Sequence, residues 1–189
     1  MQILVLNGSP RKKGNTEHIV TTVADGLTKA GTEVEVFRLA DLDIHPCIGC
    51  GHCEEEGICV FKDDMLILYK KIAAADRIIL ASPIYFYGLT AQTKTCIDRC
   101  QALWSRKYIL KKPVSPKPGR KGYLIGVAAT RGERIFEGAI LCASYGLDAM
   151  DARYSGELLY PGVDAKGAIT NHPDYPDRIV EFVRQLLET

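Results

Sequence analysis

The chain has 189 residues, 47% of them hydrophobic and 25% charged, a balance that excludes disordered and fibrous classes and suffices for one α/β domain with its own core. Its formal net charge of +1 gives no reason to expect nucleic acid or an acidic membrane as a partner, and no apolar run is long enough to span a bilayer. Seven cysteines behind an N-terminal apolar run that is only a strand long, without signal-peptide layout, point to thiols or metal thiolates in a reducing cytoplasm rather than to a disulfide framework.

Ile3-Leu4-Val5-Leu6 predicts a short buried strand, which breaks into Asn7-Gly8-Ser9-Pro10. Arg11-Lys12-Lys13 follows, and Gly14-Asn15-Thr16 opens a helical pattern. A strand feeding a small-residue loop and a helix start suits an anionic phosphate. The first helical N–H groups lack intrahelical partners, and the helix dipole places partial positive charge there. Ser9, Asn15 and Thr16 add short side-chain donors and Arg11 a planar charged fork. Neither the GxGxxG nor the GxxxxGK[ST] fingerprint is present. The bland reading is an ordinary strand–turn–helix corner with solvated basic residues.

Ile19, Val20, Val23 and Leu27 form a helical stripe within residues 16–30, with Gly31 placed to end it. Residues 32–39 alternate as a second strand, and such a strand–helix–strand unit calls for a parallel sheet with a right-handed crossover. Cysteine then concentrates at Cys47, Cys50, Cys53 and Cys59, spaced C-x2-C-x2-C-x5-C, with Gly49 and Gly51 between the thiols to let the backbone fold tightly. Three readings stand side by side: a [4Fe–4S] cube with Cys59 as its fourth corner, a zinc site, or thiols lining a redox-active loop. Thiolate softness favours iron–sulfur or zinc without deciding between them. His45 and His52 read as polar loop residues.

Asp64 is placed to cap a helix running to Ala75, with Leu66, Leu68, Tyr69 and Ile72 facing inward. Residues 77–81 read as a central strand buried on both faces. Residues 82–88, Ser-Pro-Ile-Tyr-Phe-Tyr-Gly, read as a loop at the carboxyl edge of the sheet, where ligands of open α/β folds bind. Their aromatic and apolar walls suit a planar, partly polar ring. Residues 89–104 predict a helix with Cys96 and Cys100 in the core. Asp98 and Arg99 are left open between solvent, an ion pair and an interface. Residues 105–120, rich in Lys and Pro, predict a loop. Residues 122–129 predict a strand ending in a third polar loop, Thr130-Arg131-Gly132-Glu133, at the same edge. A helix over 135–145 with Gly146 after it, a last strand over 149–159, a polar loop over 160–171 and a helix over 173–187 complete the chain; Cys142 is expected in the core.

Together these segments resemble the NADPH-dependent FMN reductase branch of the flavodoxin-like proteins, and within it the iron–sulfur flavoproteins of anaerobic microbes. The resemblance lies in GSPRKKGNT at 8–16, CIGCGHCEEEGIC at 47–59, DDM at 63–65, SPIYFYG at 82–88 and TAQTKTCIDR at 90–99. The loop at 8–16 and the SPIY segment are shared across the branch, whereas the compact cysteine run is the sharper sign. The resemblance implies a three-layer flavodoxin-like α/β fold over residues 1–189: a five-stranded parallel sheet with helices on both faces and a cysteine-rich insertion at about 45–62. It implies that Ser9, Arg11, Asn15 and Thr16 hold the FMN phosphate. Pro83, Ile84, Tyr85, Phe86, Tyr87 and Gly88 would follow the ribityl chain and isoalloxazine, and Thr130, Arg131 and Gly132 the third loop's contacts. The family often carries two or more glycines in that third loop, whereas Arg131 is bulkier and charged.

The function expected is an FMN-dependent oxidoreductase with a [4Fe–4S] cluster on Cys47, Cys50, Cys53 and Cys59, and no catalytic acid, base or nucleophile of its own. NAD(P)H or a ferredoxin is the expected electron donor, a small molecule or protein the acceptor, and a homodimer or homotetramer the expected assembly. The alternatives are a cluster-free NAD(P)H-dependent FMN or quinone reductase, and a non-catalytic electron carrier or zinc-stapled binding module.

Overall fold

The computed structural model describes residues 1–188. In chain order its elements are β1 Gln2–Asn7, α1 Asn15–Lys29, β2 Glu33–Arg38, α2 His52–Glu56, α3 Met65–Ala74, β3 Arg77–Tyr85, β4 Gly88–Leu89, α4 Ala91–Arg99, α5 Gln101–Trp104, β5 Lys121–Ala128, α6 Glu137–Ala149, β6 Arg153–Pro161 and α7 Tyr175–Leu187. The sheet runs β2-β1-β3-β5-β6 with every neighbouring pair parallel, and β4 is an antiparallel spur on β3. With the spur set aside this is the 2-1-3-4-5 order of flavodoxin-like folds, whose switch point lies between β1 and β3. The expected fold class holds.

Alternation of side chains splits the apolar strands between two layers. Ile3, Val5, Ile79 and Ala81 pack with Ile19, Val23 and Leu27 of α1 and Ile179, Phe182 and Leu186 of α7. Leu4, Leu6, Ile78 and Leu80 pack on the other face with Leu68 and Ile72 of α3, Cys96 of α4 and Ala143 and Leu147 of α6. Among the described residues no helix is long and apolar enough to cross a membrane.

Several expectations are corrected. β3 does not stop at Ala81: β1 pairs with it only as far as Asn7 beside Ala81, while β5 follows it to Pro83 beside Val127. Beyond Ala81 one side of β3 is therefore a free edge, where a proline is tolerated. The segment 82–88 is thus strand and tight hairpin rather than open loop. Leu89 lies in β4, and α4 begins after Thr90, whose hydroxyl accepts the Thr93 N–H. The helix expected to end at Trp104 continues as a π turn over Ser105–Ile109, so the Lys-rich stretch starts helical.

Gly146 does not end a helix. It lies inside α6, and a Cβ there would stand 3.0 Å from Ile97, so the glycine serves the close approach of α4. The last strand consequently starts at Arg153 rather than 149. Leu66 is exposed, and Met65 takes the buried place beside Leu68 and Ile72. The Asp64 side chain does not cap α3; it accepts the Asp43 N–H at 2.8 Å, while Asp63 accepts the Met65 N–H at 3.1 Å. Cys96 and Cys100 are fully buried, but Cys142 is only half-buried. The cysteine insertion is not all loop, since Cys53 sits on α2.

Candidate functional site

β1 ends at Asn7 beside Ala81, and the chain turns away at Gly8, whose N–H donates to the Ala81 carbonyl at 2.8 Å. Asn7 Oδ1 accepts the Ser9 N–H at 3.0 Å and shapes the turn. A Cβ on Gly8 would stand 1.8 Å from Thr93 Oγ1 and 3.0 Å from Thr90 Oγ1, so only glycine fits there. Thr90 Oγ1 donates to the Gly8 carbonyl at 2.7 Å and shares a hydrogen bond with Thr93 Oγ1 at 2.9 Å; the Thr90 N–H donates to Ser82 Oγ at 3.1 Å. The start of α4 therefore pins the first loop to the second. Sequence reading placed residues 90–99 in a motif without seeing this; the Thr-x-x-Thr spacing of a helix cap was its signal.

Ser9, Arg11, Asn15 and Thr16 come together with Pro83, Ile84 and Tyr85 around one cavity of about 90 Å³. Val127 and Ala129 at the end of β5, and Val163 and Asp164 after β6, complete its wall and were not foreseen. The Asn15 amide donates to the Ala165 carbonyl at 2.9 Å, and its oxygen accepts the Ile169 N–H at 3.3 Å. Asn15 thus braces the loop after β6 as well as lining the cavity.

Tyr85 pairs with Gly88 across a two-residue hairpin. Its central residues Phe86 (φ 50°) and Tyr87 (φ 63°) both have left-handed backbone, a conformation that normally selects Asn-Gly and strains aromatic residues. Phe86 projects fully into solvent, and Tyr85 and Tyr87 are half exposed. The Tyr87 hydroxyl crowds Gly132, where a Cβ would stand 2.5 Å from it, so the second and third loops meet. The Thr130 carbonyl accepts the Gly162 N–H at 3.0 Å, and the Arg131 guanidinium folds over Gly162. Thr130, Arg131 and Gly132 form a rim and do not line the cavity.

Cys47, Cys50, Cys53 and Cys59 surround a second cavity of about 410 Å³, walled also by Phe61, Asp98, Arg99, Gln101 and Ala102. All four thiols are free, and Ser105 Oγ donates to Cys53 Sγ at 3.5 Å. Gly49 (φ 63°) and Gly51 (φ 77°) turn the chain through left-handed backbone between them. Among the described residues no three His, Cys, Asp or Glu side chains come close enough to hold a single metal ion. The four thiols therefore enclose a space rather than a point. Cys100 does not line this cavity; a hydrogen bond with Cys96, together with burial, pushes its thiol up.

Arg99 settles as one half of a buried ion pair. Its guanidinium donates to both oxygens of Asp63, at 2.5 and 3.1 Å, and to the His45 carbonyl at 2.8 Å, and it lies 4.9 Å from the centre of the Phe61 ring. Burial disfavours the Asp63 carboxylate, but hydrogen bonds from Arg99 and the His45 N–H outweigh it and hold the carboxyl below its usual range.

A family model described as NADPH-dependent FMN reductase matches residues 1–138. The chain belongs to this family. Among curated relatives, an iron-sulfur flavoprotein of Methanocaldococcus jannaschii is 44% identical over 103 residues, 54% of this chain and 53% of the relative. An iron-sulfur flavoprotein of Methanosarcina thermophila is 36% identical over 114 residues, 60% of each chain. The match thus spans about half the length of these relatives. Among solved structures, an NAD(P)H:quinone oxidoreductase from Methanothermobacter marburgensis superposes with a TM-score of 0.74 at 16% identity, covering 100% of this chain and 99% of that one. At that identity the likeness shows the fold alone.

Proposed function

We propose that the chain is an FMN-dependent oxidoreductase of the iron–sulfur flavoprotein kind. The observation that carries this is the single cavity joining the start of α1, the end of β3 and the end of β5 at the switch point of the sheet. Its polar wall has the donors for a phosphate: Ser9, Thr16, Arg11 and the α1 N-terminus. The aromatic hairpin beside it offers Tyr85 and Tyr87 as a surface for the flat ring, open to solvent on one side. Pro83, Ile84 and Gly88 follow the connecting chain, Phe86 lies at the outer margin, and Thr130, Arg131 and Gly132 border the ring's far edge.

The four-thiol cavity suits a group several atoms across, and the soft donors of Cys47, Cys50, Cys53 and Cys59 suit a [4Fe–4S] cluster. The relatives' names support this reading. A zinc staple has less support, since no three thiols converge. The bound groups supply one- and two-electron transfer, and the protein fixes their spacing, polarity and access. No side chain is assigned as acid, base or nucleophile. NAD(P)H or a ferredoxin would deliver electrons, and exposed Phe86, Leu141 and Tyr145 favour a homo-oligomer that covers them.

An absorbance spectrum of anaerobically handled protein with metal analysis tests the proposal. A flavin spectrum with about four iron atoms per chain is expected. Colourless protein that takes up no FMN overturns it. The matching family model, described as NADPH-dependent FMN reductase, favours, as the second reading, a cluster-free NAD(P)H-dependent FMN or quinone reductase. Iron near zero with fast flavin bleaching by NADPH or NADH selects that reading, whereas slow bleaching by both and fast reduction by ferredoxin selects the first.

A further inference from the structure

Three buried side-chain nitrogens among the described residues find no hydrogen-bond partner, and Arg99 Nε is one of them. Such orphans are rare in folded proteins and ask for a reason. Arg99 is the one of the three that lines the four-thiol cavity; Asn7 and Arg77 do not. Its side chain is wholly buried, and Asp63, its counter-charge, is 3% exposed and does not wall the cavity. Of the pair, Arg99 is therefore the member that borders the thiols' cavity.

The pair also ties the insertion down at both ends. Asp63 accepts the His45 N–H at 3.0 Å and Arg99 donates to the His45 carbonyl, so residue 45 before the cysteines and residue 63 after them are fastened to α4. Tyr69 fixes the same spot from α3 by donating to the Arg99 carbonyl at 2.7 Å. A buried ion pair gives little net stability over an apolar packing of the same volume. Fastening alone therefore does not account for a charge here, and a free donor still less.

The geometry points to Arg99 as a positioning and potential-setting residue for the group the four cysteines hold, with Asp63 aligning it and offsetting part of its charge. This rests on the cluster reading above. A four-thiolate iron–sulfur centre is anionic and gains a further negative charge when one electron enters. A fixed cation beside it favours the electron-rich state, and net charge and hydrogen bonds to sulfur are among the features that set such potentials. Removing the cation lowers the potential, and removing Asp63 alone raises it. A mere fastener predicts no such opposition of sign.

The test uses the full chain, reconstituted anaerobically with iron and sulfide, with iron content, midpoint potential and thermal unfolding of the iron-free protein read for wild type, Arg99→Lys, Arg99→Gln and Asp63→Asn. Arg99→Gln is expected to shift the reduced-to-oxidised ratio at fixed potential at least tenfold toward oxidised, which is 59 mV for one electron. Asp63→Asn shifts it the other way, and Arg99→Lys stays near wild type. Iron lost from Arg99→Gln but kept by Arg99→Lys, at equal thermal stability, also supports the proposal. Potentials that do not move, that move in one direction for both Arg99→Gln and Asp63→Asn, or loss of iron and stability alike in all three variants overturn it. Wild type that takes up no iron overturns the cluster reading itself, whereas a loaded wild type with unmoved variants overturns only the role of Arg99.

Discussion

Gly8 and Asp164 show how single atoms decide the cavity proposed for FMN. A methyl on Gly8 has no place to go, with Thr93 Oγ1 1.8 Å from where it would stand. Gly8→Ala must push α4 or the first loop aside, so FMN affinity is expected to fall at least tenfold, read by quenching of flavin fluorescence, with a lower thermal midpoint. Asp164 places a carboxylate in the wall of a cavity otherwise fitted for an anion. Asp164→Asn is expected to tighten FMN by about two- to fivefold at low salt, with the gain shrinking as salt is raised; an unchanged titration places the phosphate elsewhere. That Ser9, Arg11 and Thr16 line one cavity was legible, because the turn and helix start that carry them are local in sequence. Val163 and Asp164 were not, since their approach depends on a strand at the opposite edge of the chain's order, and Asn15's second task, bracing Ala165, is a contact 150 residues away.

The elements themselves were largely legible, and their errors share a cause. Periodicity found every strand of the parallel sheet and the long helices, but it misjudged ends wherever tertiary contact overrides a local signal: Gly146 inside α6, the π turn after Trp104, and β3 running past Ala81. The hairpin at its end is the sharpest case. Phe86 and Tyr87 occupy the two left-handed positions that Asn-Gly fills at no cost, and a non-glycine residue held there costs roughly 1–2 kcal/mol. Strain of this kind beside the proposed flavin site is expected to be retained for the ligand. The double variant Phe86→Asn with Tyr87→Gly should therefore gain about 1 kcal/mol, a rise of roughly 2–4 °C in thermal midpoint for a chain of this size. The same variant should bind FMN more weakly. Calorimetry beside flavin titration checks both arms, and a variant that loses stability removes the argument from strain.

At the scale of the whole molecule, strand order and the joining of distant segments lay beyond the sequence, because the pattern of one strand does not name its neighbours. The Asp63–Arg99 pair is the clearest instance. Arg99 was left open by the sequence and Asp63 stood out only within the 63–65 segment, yet together they couple α4, the start of α3 and both ends of the cysteine insertion. Such a link makes acid stability a global readout. The Asp63 carboxyl is held below its usual value, so its contribution is complete above the unfolded-state value of about 3.9 and is lost as pH falls through the lower folded-state value. At neutral pH, Asp63→Asn leaves Arg99 buried without its counter-charge, at a cost of about 3–5 kcal/mol, and the variant should unfold well below wild type. As pH drops from about 5 toward 2, wild type acquires the same neutral partner by protonation, and the two thermal midpoints should converge. Asp76, also held low by the Gln2 N–H and Lys117 against its burial, weakens both proteins equally over this range. A gap that stays constant from neutral to acid pH would mean that Asp63 carries no charge in the folded state.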